Sequence, residues 1–443
     1  MTRIVITAIG SAGDVHPLLG IGAALASRGH EIVFCSHPPF EAAALRQGFA
    51  FEAIGTADEY AAAMANPALW NPRTSFRTLW AVIAPTLRPH FDTLAALTTA
   101  DTVLVGSLWA FSARLMQELH GVPLVSVQVS PSTLLSAHAP PTHPRLTIPR
   151  WLPLGVKTGV MRLIERQVLD KVCGPELNTL RTELGLPTAT RIFGKWLHST
   201  DGVLCLFPDW FAQPQPDWPE PHRMSGFPLF NEAQPQEADP QLEAFLASGE
   251  RPVVFTAGST LTDHARYAQT VRAVLRDSGL RGILLTPDAH VPTAEPTKSS
   301  DENIALLTRR YVPMRTLLPR CRALVHHGGI GTAALAYAAG IPQVVTPFAH
   351  DQFDNAQRIA ASGCGVRLDA PLHAQALTRA LKQVLASPSI ATQCGRMQDR
   401  LATAPDGCDA AARYIESFMG GPARAAAGGR APSLVLVAGG HGA

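Results

Sequence analysis

Two glycine-rich turns hold most of the residues that could do chemistry: "GSAGDVHP", Gly10 to Pro17, and "HHGGIGT", His326 to Thr332. At the second, an apolar strand-like run passes into glycines and a helix-forming stretch follows. A helix N-terminus exposes unsatisfied N–H groups and a partial positive charge, so it stabilises an anion. Gly328, Gly329 and Gly331 let the backbone approach such an anion. Thr332 adds an N–H and a hydroxyl, and His327 adds a side-chain donor. Donors spread over a whole turn suit a diphosphate better than a lone carboxylate. The glycines alone would fit a tight strand–helix turn equally well; His327 and Thr332 tip the reading to phosphate. His326 belongs with the end of the strand.

Beyond that turn, "AHDQFDNA" places Asp351 and Gln352 at the carboxyl end of another apolar run. An acid–amide pair offers acceptors and donors together, which suits a polyol such as a sugar ring. The competing role for Asp351 is capping the next helix. Asn355 reads as structural, a cap or helix-start contact. Earlier in the same half, "TAGST" ends a strand with Gly258, Ser259 and Thr260, a second phosphate contact. Tyr311-Val312-Pro313 follows a further strand, where an aromatic ring and main chain could hold a base.

The first turn is not G-x-G-x-x-G, and the strand after it ends "FCSHPP" without an acid for a ribose. Both points disfavour NAD or FAD. The turn presents Asp14 and His16 instead, and activating an acceptor hydroxyl for sugar transfer needs a general base. His16 has the better resting pKa, about 6.5 against about 3.9 for an aspartate. Asp14, near a helix N-terminus, has its charged form favoured and an alternative role as a cap. Residue chemistry alone leaves the two level.

These residues need elements to position them. "RIVITAI", "HEIVFCS", "DTVLVGS" and "VPLVSVQVS" read as strands alternating with helices, and "RPVVFTAGS", "RGILLTP", "ALVHHGG" and "PQVVTPF" repeat the grammar. That alternation predicts an α/β chain of two doubly wound parallel sheets, with a cleft between their carboxyl ends. The division falls at "FPLFNEAQPQEADPQ", a linker composition, leaving halves at residues 1–230 and 242–405. A closing helix follows at 406–419 and a low-complexity tail at 420–443, where "SLVLVA" could dock. "VKTGVMRLIERQVLDKV", with Lys157, Arg162, Arg166 and Lys171, predicts an amphipathic helix, read as a solvated surface helix rather than a membrane-surface or partner helix.

Composition supports this frame. The chain has 443 residues, 46% hydrophobic and 16% charged, with a net charge of +2. This is enough apolar material for two cores and gives no electrostatic reason to expect nucleic acid. Seven scattered cysteines lack any C-x-x-C spacing, which argues against a disulfide framework or zinc site and for a reducing compartment. No apolar run approaches the roughly 18–20 residues of a membrane span, and the N-terminus lacks a cleavage-like site. The expected location is cytoplasmic.

Taken together, "ITAIGSAGDVHPLLGI", "LVHHGGIGTAALAYAAGIPQVVTPFAHDQFDNAQRI" and the stretches between them resemble the nucleotide-sugar glycosyltransferases of the GT-B fold, family 1. "SPSTLLSAH" and "PDWPEP" resemble the narrower group of rhamnosyltransferases of rhamnolipid synthesis, whereas H-x-G-x-x-T and D-Q mark only the wider family. The resemblance implies two Rossmann-like domains facing across a cleft, acceptor in the first and nucleotide sugar in the second. It assigns the diphosphate to His327, Gly329, Gly331 and Thr332, with Gly258 to Thr260 beside them. It assigns the sugar hydroxyls to Asp351 and Gln352, and the base to the main chain of Val312. Plant members carry a catalytic His in G-H-x-x-P; here G-D-V-H-P puts Asp14 at that place, so Asp14 is the expected base with His16 as runner-up. Where plant members orient the His with a distant Asp, this chain has Ser107.

The implied reaction is inverting, metal-independent transfer of L-rhamnose from dTDP-L-rhamnose to a 3-(3-hydroxyalkanoyloxy)alkanoate. Trp70, Phe76, Trp80 and Trp109 are candidate walls of the lipid site. No cofactor is expected. An enzyme that makes the acyl dimer is a candidate partner, and the inner-membrane surface a candidate peripheral contact. The alternatives are a family 1 enzyme acting on a polyketide, sterol or other hydroxylated product, and a non-catalytic subunit that binds nucleotide sugar.

Overall fold

The buried β-branched runs become parallel strands in two separate sheets. A computed structural model describes residues 2–419 apart from 145–146, 231–238, 259–262, 287–303 and 370. In the first half the strands are β1 (Arg3–Ala8), β2 (Glu31–Ser36), β3 (Ala50–Ala53), β4 (Thr102–Gly106), β5 (Leu124–Gln128), β6 (Gly202–Cys205) and β7 (His222–Met224). They lie in the order β3-β2-β1-β4-β5-β6-β7. In the second half β8 (Val253–Thr256), β9 (Gly282–Leu285), β10 (Leu306–Arg309), β11 (Ala323–His326), β12 (Gln343–Val345) and β13 (Gly365–Arg367) lie in the order β10-β9-β8-β11-β12-β13. Every pairing is parallel, so helices must carry the chain back over the sheet faces. The order reverses between β1 and β4 and between β8 and β11, which opens a crevice at each carboxyl edge.

β3, β6, β7 and β13 were not visible as apolar runs. β3 ("AFEA") is an edge strand largely open to solvent and β7 ("HRM") an edge strand of three residues, none of them fully buried, so they need no apolar sequence. β6 is fully buried, but it is four residues long and begins with glycine.

The two halves are joined by more than a linker. Phe227, at the head of the stretch read as linker, is 4% exposed and stacks on Tyr337 at 6.3 Å and 9°. Trp210 meets the same Tyr337 edge-on at 5.1 Å. The closing helix, Gly407–Glu416, packs against the Ala12–Ser27 helix of the first half. Its Cys408, Ala411, Ala412 and Ile415 share one core with Leu18, Ile21 and Leu25. Gly20 permits that approach: a Cβ there would lie 2.6 Å from Phe230 and 2.9 Å from Cys408. The tail at 420–443, with "SLVLVA", lies outside the described residues.

The predicted amphipathic helix forms at Leu154–Ile164 and continues through a π-helical turn, Glu165–Leu169, into Asp170–Glu183. Its expected orientation is wrong in part. Lys157 is buried, whereas Leu154, Val156, Leu163 and Val168 are exposed. All seven cysteines are free and buried. Among the described residues, no helix is long and apolar enough to cross a membrane.

Candidate active site

At the first turn, β1 ends at Ala8 and the backbone swings through Gly10 with φ of 136°. A Cβ on Gly10 would lie 2.4 Å from the Asp14 Oδ2, so only glycine lets that carboxylate fold back over the turn. Asp14 sits in the first turn of the Ala12–Ser27 helix, where its Oδ2 accepts from the Ser11 N–H (2.9 Å) and the Ser11 hydroxyl (3.1 Å). The capping role weighed against catalysis is therefore real, but it engages one oxygen and leaves Oδ1 on offer to an acceptor. Burial raises the Asp14 pKa above the usual carboxylate range, against the lowering effect of the Ser11 bonds. His16 packs edge-on against Phe40 at 6.2 Å. Ser107, at the relay position, does something else: its hydroxyl accepts from the Ile9 N–H at 3.0 Å and fastens the turn to β4.

At the second turn the two histidines separate. His326 is fully buried at the end of β11; its Nδ1 accepts from the Gly328 N–H (3.2 Å), which leaves Nε2 to donate to the Gln343 Oε1 (3.0 Å). Burial pushes its pKa down to about 3. It is a neutral structural group. His327 lies in a slot made by two glycines. A Cβ on Gly258 would sit 2.7 Å from its Cε1, and one on Gly329 2.6 Å from its Nε2. Its Nδ1 is buried with no hydrogen-bond partner, and burial lowers its pKa to about 4. A buried, unpartnered ring nitrogen is what a ligand would satisfy. Beside it, the Ile330–Ala339 helix starts at Gly329 with no side chain capping it, so its first N–H groups are open to an anion.

Asp351 occupies the N-cap place of the Gln352–Ala361 helix but makes no capping bond. Its Oδ2 accepts from the Asn355 Nδ2 at 2.8 Å. Burial, with the charge of Asp14 adding to it, pushes its pKa up to about 6. Asn355 does more than begin a helix. Its Nδ2 also donates to the Gly328 carbonyl (3.0 Å), and its Oδ1 accepts from the Ser130 hydroxyl of the first half (3.2 Å). Gln352 is the weaker half of the pair, because its Oε1 accepts from the N–H groups of Phe348 and Ala349, each at 3.0 Å. Only its amide nitrogen is left for a ligand.

The two turns face one cavity of about 890 Å³, lined from both halves. It brings together Asp14, His16, Gly258, His327, Gly329, Gly331, Thr332, Asp351 and Gln352, and it includes Trp70 and Trp109. Trp80 does not belong there: it is 3% exposed and donates its indole N–H to Glu176 at 3.0 Å. Phe76 packs against Trp109 and Phe193 behind the wall. The Val312 side chain lies in the core of the second half, off the cavity wall. Ser259 and Thr260 fall outside the described residues.

Sequence reasoning missed His350, which lines the cavity with φ of 50° and meets Trp70 across the cleft at 5.5 Å. Its place immediately before Asp351 was the available signal. Ser130, Ser132, Thr133 and His37 were missed as wall residues too. The described lining residues include no lysine or arginine. No group of three or more His, Cys, Asp or Glu is placed to hold a metal among the described residues.

Known proteins resemble this chain in sequence and fold. A model described as the glycosyltransferase family 28 N-terminal domain matches residues 4–139, and one described as erythromycin biosynthesis protein CIII-like, C-terminal domain, matches residues 288–416. The chain is 31% identical over 429 residues to glycosyltransferase GtfC of Amycolatopsis orientalis, covering 93% of this chain and 97% of that protein. To O-mycaminosyltylonolide 6-deoxyallosyltransferase of Streptomyces fradiae it is 27% identical over 456 residues, covering 94% and 97%. Among solved structures, the spinosyn rhamnosyltransferase SpnG complexed with thymidine diphosphate matches with a TM-score of 0.63 at 22% identity, covering 94% of this chain and all (100%) of that one. Two facing Rossmann-like sheets and a 31% identity to GtfC over nearly its full length lead to one conclusion: the chain belongs to family 1 of the GT-B nucleotide-sugar glycosyltransferases.

Proposed function

We propose that the chain moves L-rhamnose, with inversion, from dTDP-L-rhamnose to the hydroxyl of a 3-(3-hydroxyalkanoyloxy)alkanoate, giving a mono-rhamnolipid. The observation that carries the acceptor class is the apolar lining that the first half gives the cavity, Leu69, Trp70, Leu79, Val82, Leu108 and Trp109, in the same cavity as the polar His327, Thr332, Asp351 and Gln352 of the second half. Such a lining suits acyl chains. The thymidine diphosphate named with the SpnG structure is in keeping with a dTDP donor.

In this reading Asp14 takes the acceptor proton through Oδ1, and its raised pKa makes it a stronger base than an ordinary aspartate. The acceptor oxygen bonds to the anomeric carbon as the bond to the diphosphate breaks. The electron pair leaves with the diphosphate, whose charge is met by the N-terminus of the Ile330–Ala339 helix and by His327. Asp351 and the Gln352 amide nitrogen hold sugar hydroxyls, Gly258 and its neighbours Ser259 and Thr260 add phosphate contacts, and the Val312 main chain receives the base. The reaction as written uses no metal.

A neutral hydroxylated product is the second reading. The absence of lysine and arginine from the described lining favours it, because a buried acceptor carboxylate would lack a partner. O-mycaminosyltylonolide, in the name of the Streptomyces fradiae relative, is an acceptor of another kind. The decisive experiment incubates the purified chain with a panel of nucleotide sugars and either the hydroxyacyl dimer or a macrolide, followed by mass spectrometry. Rhamnosylated dimer is the expected product. Turnover of UDP-glucose onto the macrolide, with none from dTDP-L-rhamnose onto the dimer, overturns the proposal.

A further inference from the structure

Seven large apolar side chains are exposed among the described residues, and five of them lie between Trp151 and Val168. Trp151 is 81% exposed and Leu163 60%, with Leu154, Val156 and Val168 between 44% and 49%. The Leu154–Ile164 helix buries Lys157 and Met161 on its underside, and Met161 packs with Ala137 and Ile148. This segment follows Ser130, Ser132 and Thr133 of the cavity wall in the chain.

The charges are sorted as well. Glu165 is 3% exposed and pairs with Arg191 at 3.1 Å. Asp170 accepts from the N–H groups of Arg191 and Ile192 at 2.8 and 2.9 Å. Glu176 accepts from the Trp80 indole. Arg150, Arg162, Arg166 and Lys171 instead stand exposed, and none pairs with an acid of the described residues. A solvated helix buries its apolar side chains and mixes its charges. This face turns apolar groups and cations out, while Glu165 is buried and Asp170 is engaged by backbone N–H groups.

We propose that the face from Trp151 to Lys171 docks the protein on the surface of an anionic lipid bilayer. Trp151 and Leu163 would enter at headgroup level while the four cations meet lipid phosphates. Charge complementarity selects this occupant: a second copy of the chain would bring like charges together, whereas an anionic headgroup layer opposes all four cations at once. The inference goes beyond the transferase reaction and is measured without turnover, so it stands or falls apart from the acceptor.

The test is co-sedimentation of the full chain with vesicles of phosphatidylglycerol and phosphatidylcholine, against phosphatidylcholine alone. Binding to the anionic vesicles should be at least about tenfold stronger and should weaken as salt is raised. Arg162→Gln with Arg166→Gln should weaken it about fivefold per charge removed. Trp151→Ser with Leu163→Ser should weaken it on either vesicle, with circular dichroism and melting temperature unchanged. Equal binding to both vesicle types, or variants that bind like the parent, overturns the proposal. A dimer of the parent chain that Leu163→Glu dissociates also overturns it, because it assigns the face to a second copy.

Discussion

Two turns in this molecule are built alike and face one cavity from opposite halves. Gly10-Ser11-Ala12-Gly13-Asp14 and Gly328-Gly329-Ile330-Gly331-Thr332 each follow a central strand, each begin with a glycine at positive φ (136° and 98°), and each open a helix into the shared cavity. They differ at three places, and two of these, Ser11 against Gly329 and Asp14 against Thr332, change the polar groups at the helix start. In the first, Ser11 and Asp14 satisfy one another, so the helix N-terminus carries its own anion. In the second, Gly329 and Thr332 occupy those places, no side chain caps the helix, and His327 stands beside it with a free buried nitrogen. The same backbone device holds a carboxylate in one half and leaves an uncapped helix start in the other. What separates them is whether the helix N-terminus is already satisfied.

The strongest break of the comparison is Asp14→Asn. It keeps the shape of the first turn but removes the base. Turnover should fall by about 10²–10⁴-fold, while calorimetry finds donor affinity unchanged. In the parent enzyme, turnover should fall as pH drops toward the pKa of Asp14, which burial holds above the ordinary aspartate value, because the protonated acid cannot accept a proton. If His16→Ala alone abolishes turnover, the base assignment passes to His16.

Thr332→Asp converts the second turn into a copy of the first. A carboxylate would then occupy the first turn of the Ile330–Ala339 helix and repel a diphosphate. Donor affinity should fall on the order of 100-fold. The melting temperature should hold or rise slightly, since an acid is favourable there. Unchanged donor binding would mean the anion is received elsewhere.

Asp351→Asn separates catalysis from electrostatic strain. The folded chain keeps a proton on Asp351 up to about pH 6, whereas the unfolded carboxyl loses it near 3.8. Between those values the folded state binds more protons, so stability falls as pH rises through the window, by roughly 2–3 kcal/mol. The asparagine variant should lose that component. Its melting temperature should decline less from pH 4 to 8 than that of the parent, and parallel profiles would refute the assignment. The smallest effect belongs to Ser130→Ala, which removes the hydroxyl donated to Asn355 across the two halves. A stability loss of about 1 kcal/mol in urea titration is expected.

The long apolar strands and both glycine turns were legible because their signals are local: a run of buried β-branched residues, a forced φ, a helix start. His326 was rightly kept with its strand for the same reason. Pairings distant in sequence were not legible. Trp70 and Trp80 look equivalent as residues in a tryptophan-rich stretch, yet one reaches His350 across the cleft and the other donates to Glu176 in the core. Gln352 reads as a donor–acceptor pair until its carbonyl is found engaged by the loop that precedes it. Lys157 reads as solvent-facing until the rotation of its helix turns it under.

By itself, the amino-acid sequence determined that this protein has two parallel α/β halves and that each opens a helix through glycines. It also set the expectation of a diphosphate, a sugar and a general base at those turns. Those properties depend on side-chain type and on the few residues either side. Only the tertiary structure decided that Asp14 and Asp351 lie close enough for one charge to raise the other's pKa. It alone put Asn355 between Ser130 and Gly328, and it alone returned the Gly407–Glu416 helix to the first half. Each of these is a contact between segments far apart in the chain, set by how the two sheets meet, and no local pattern encodes that meeting.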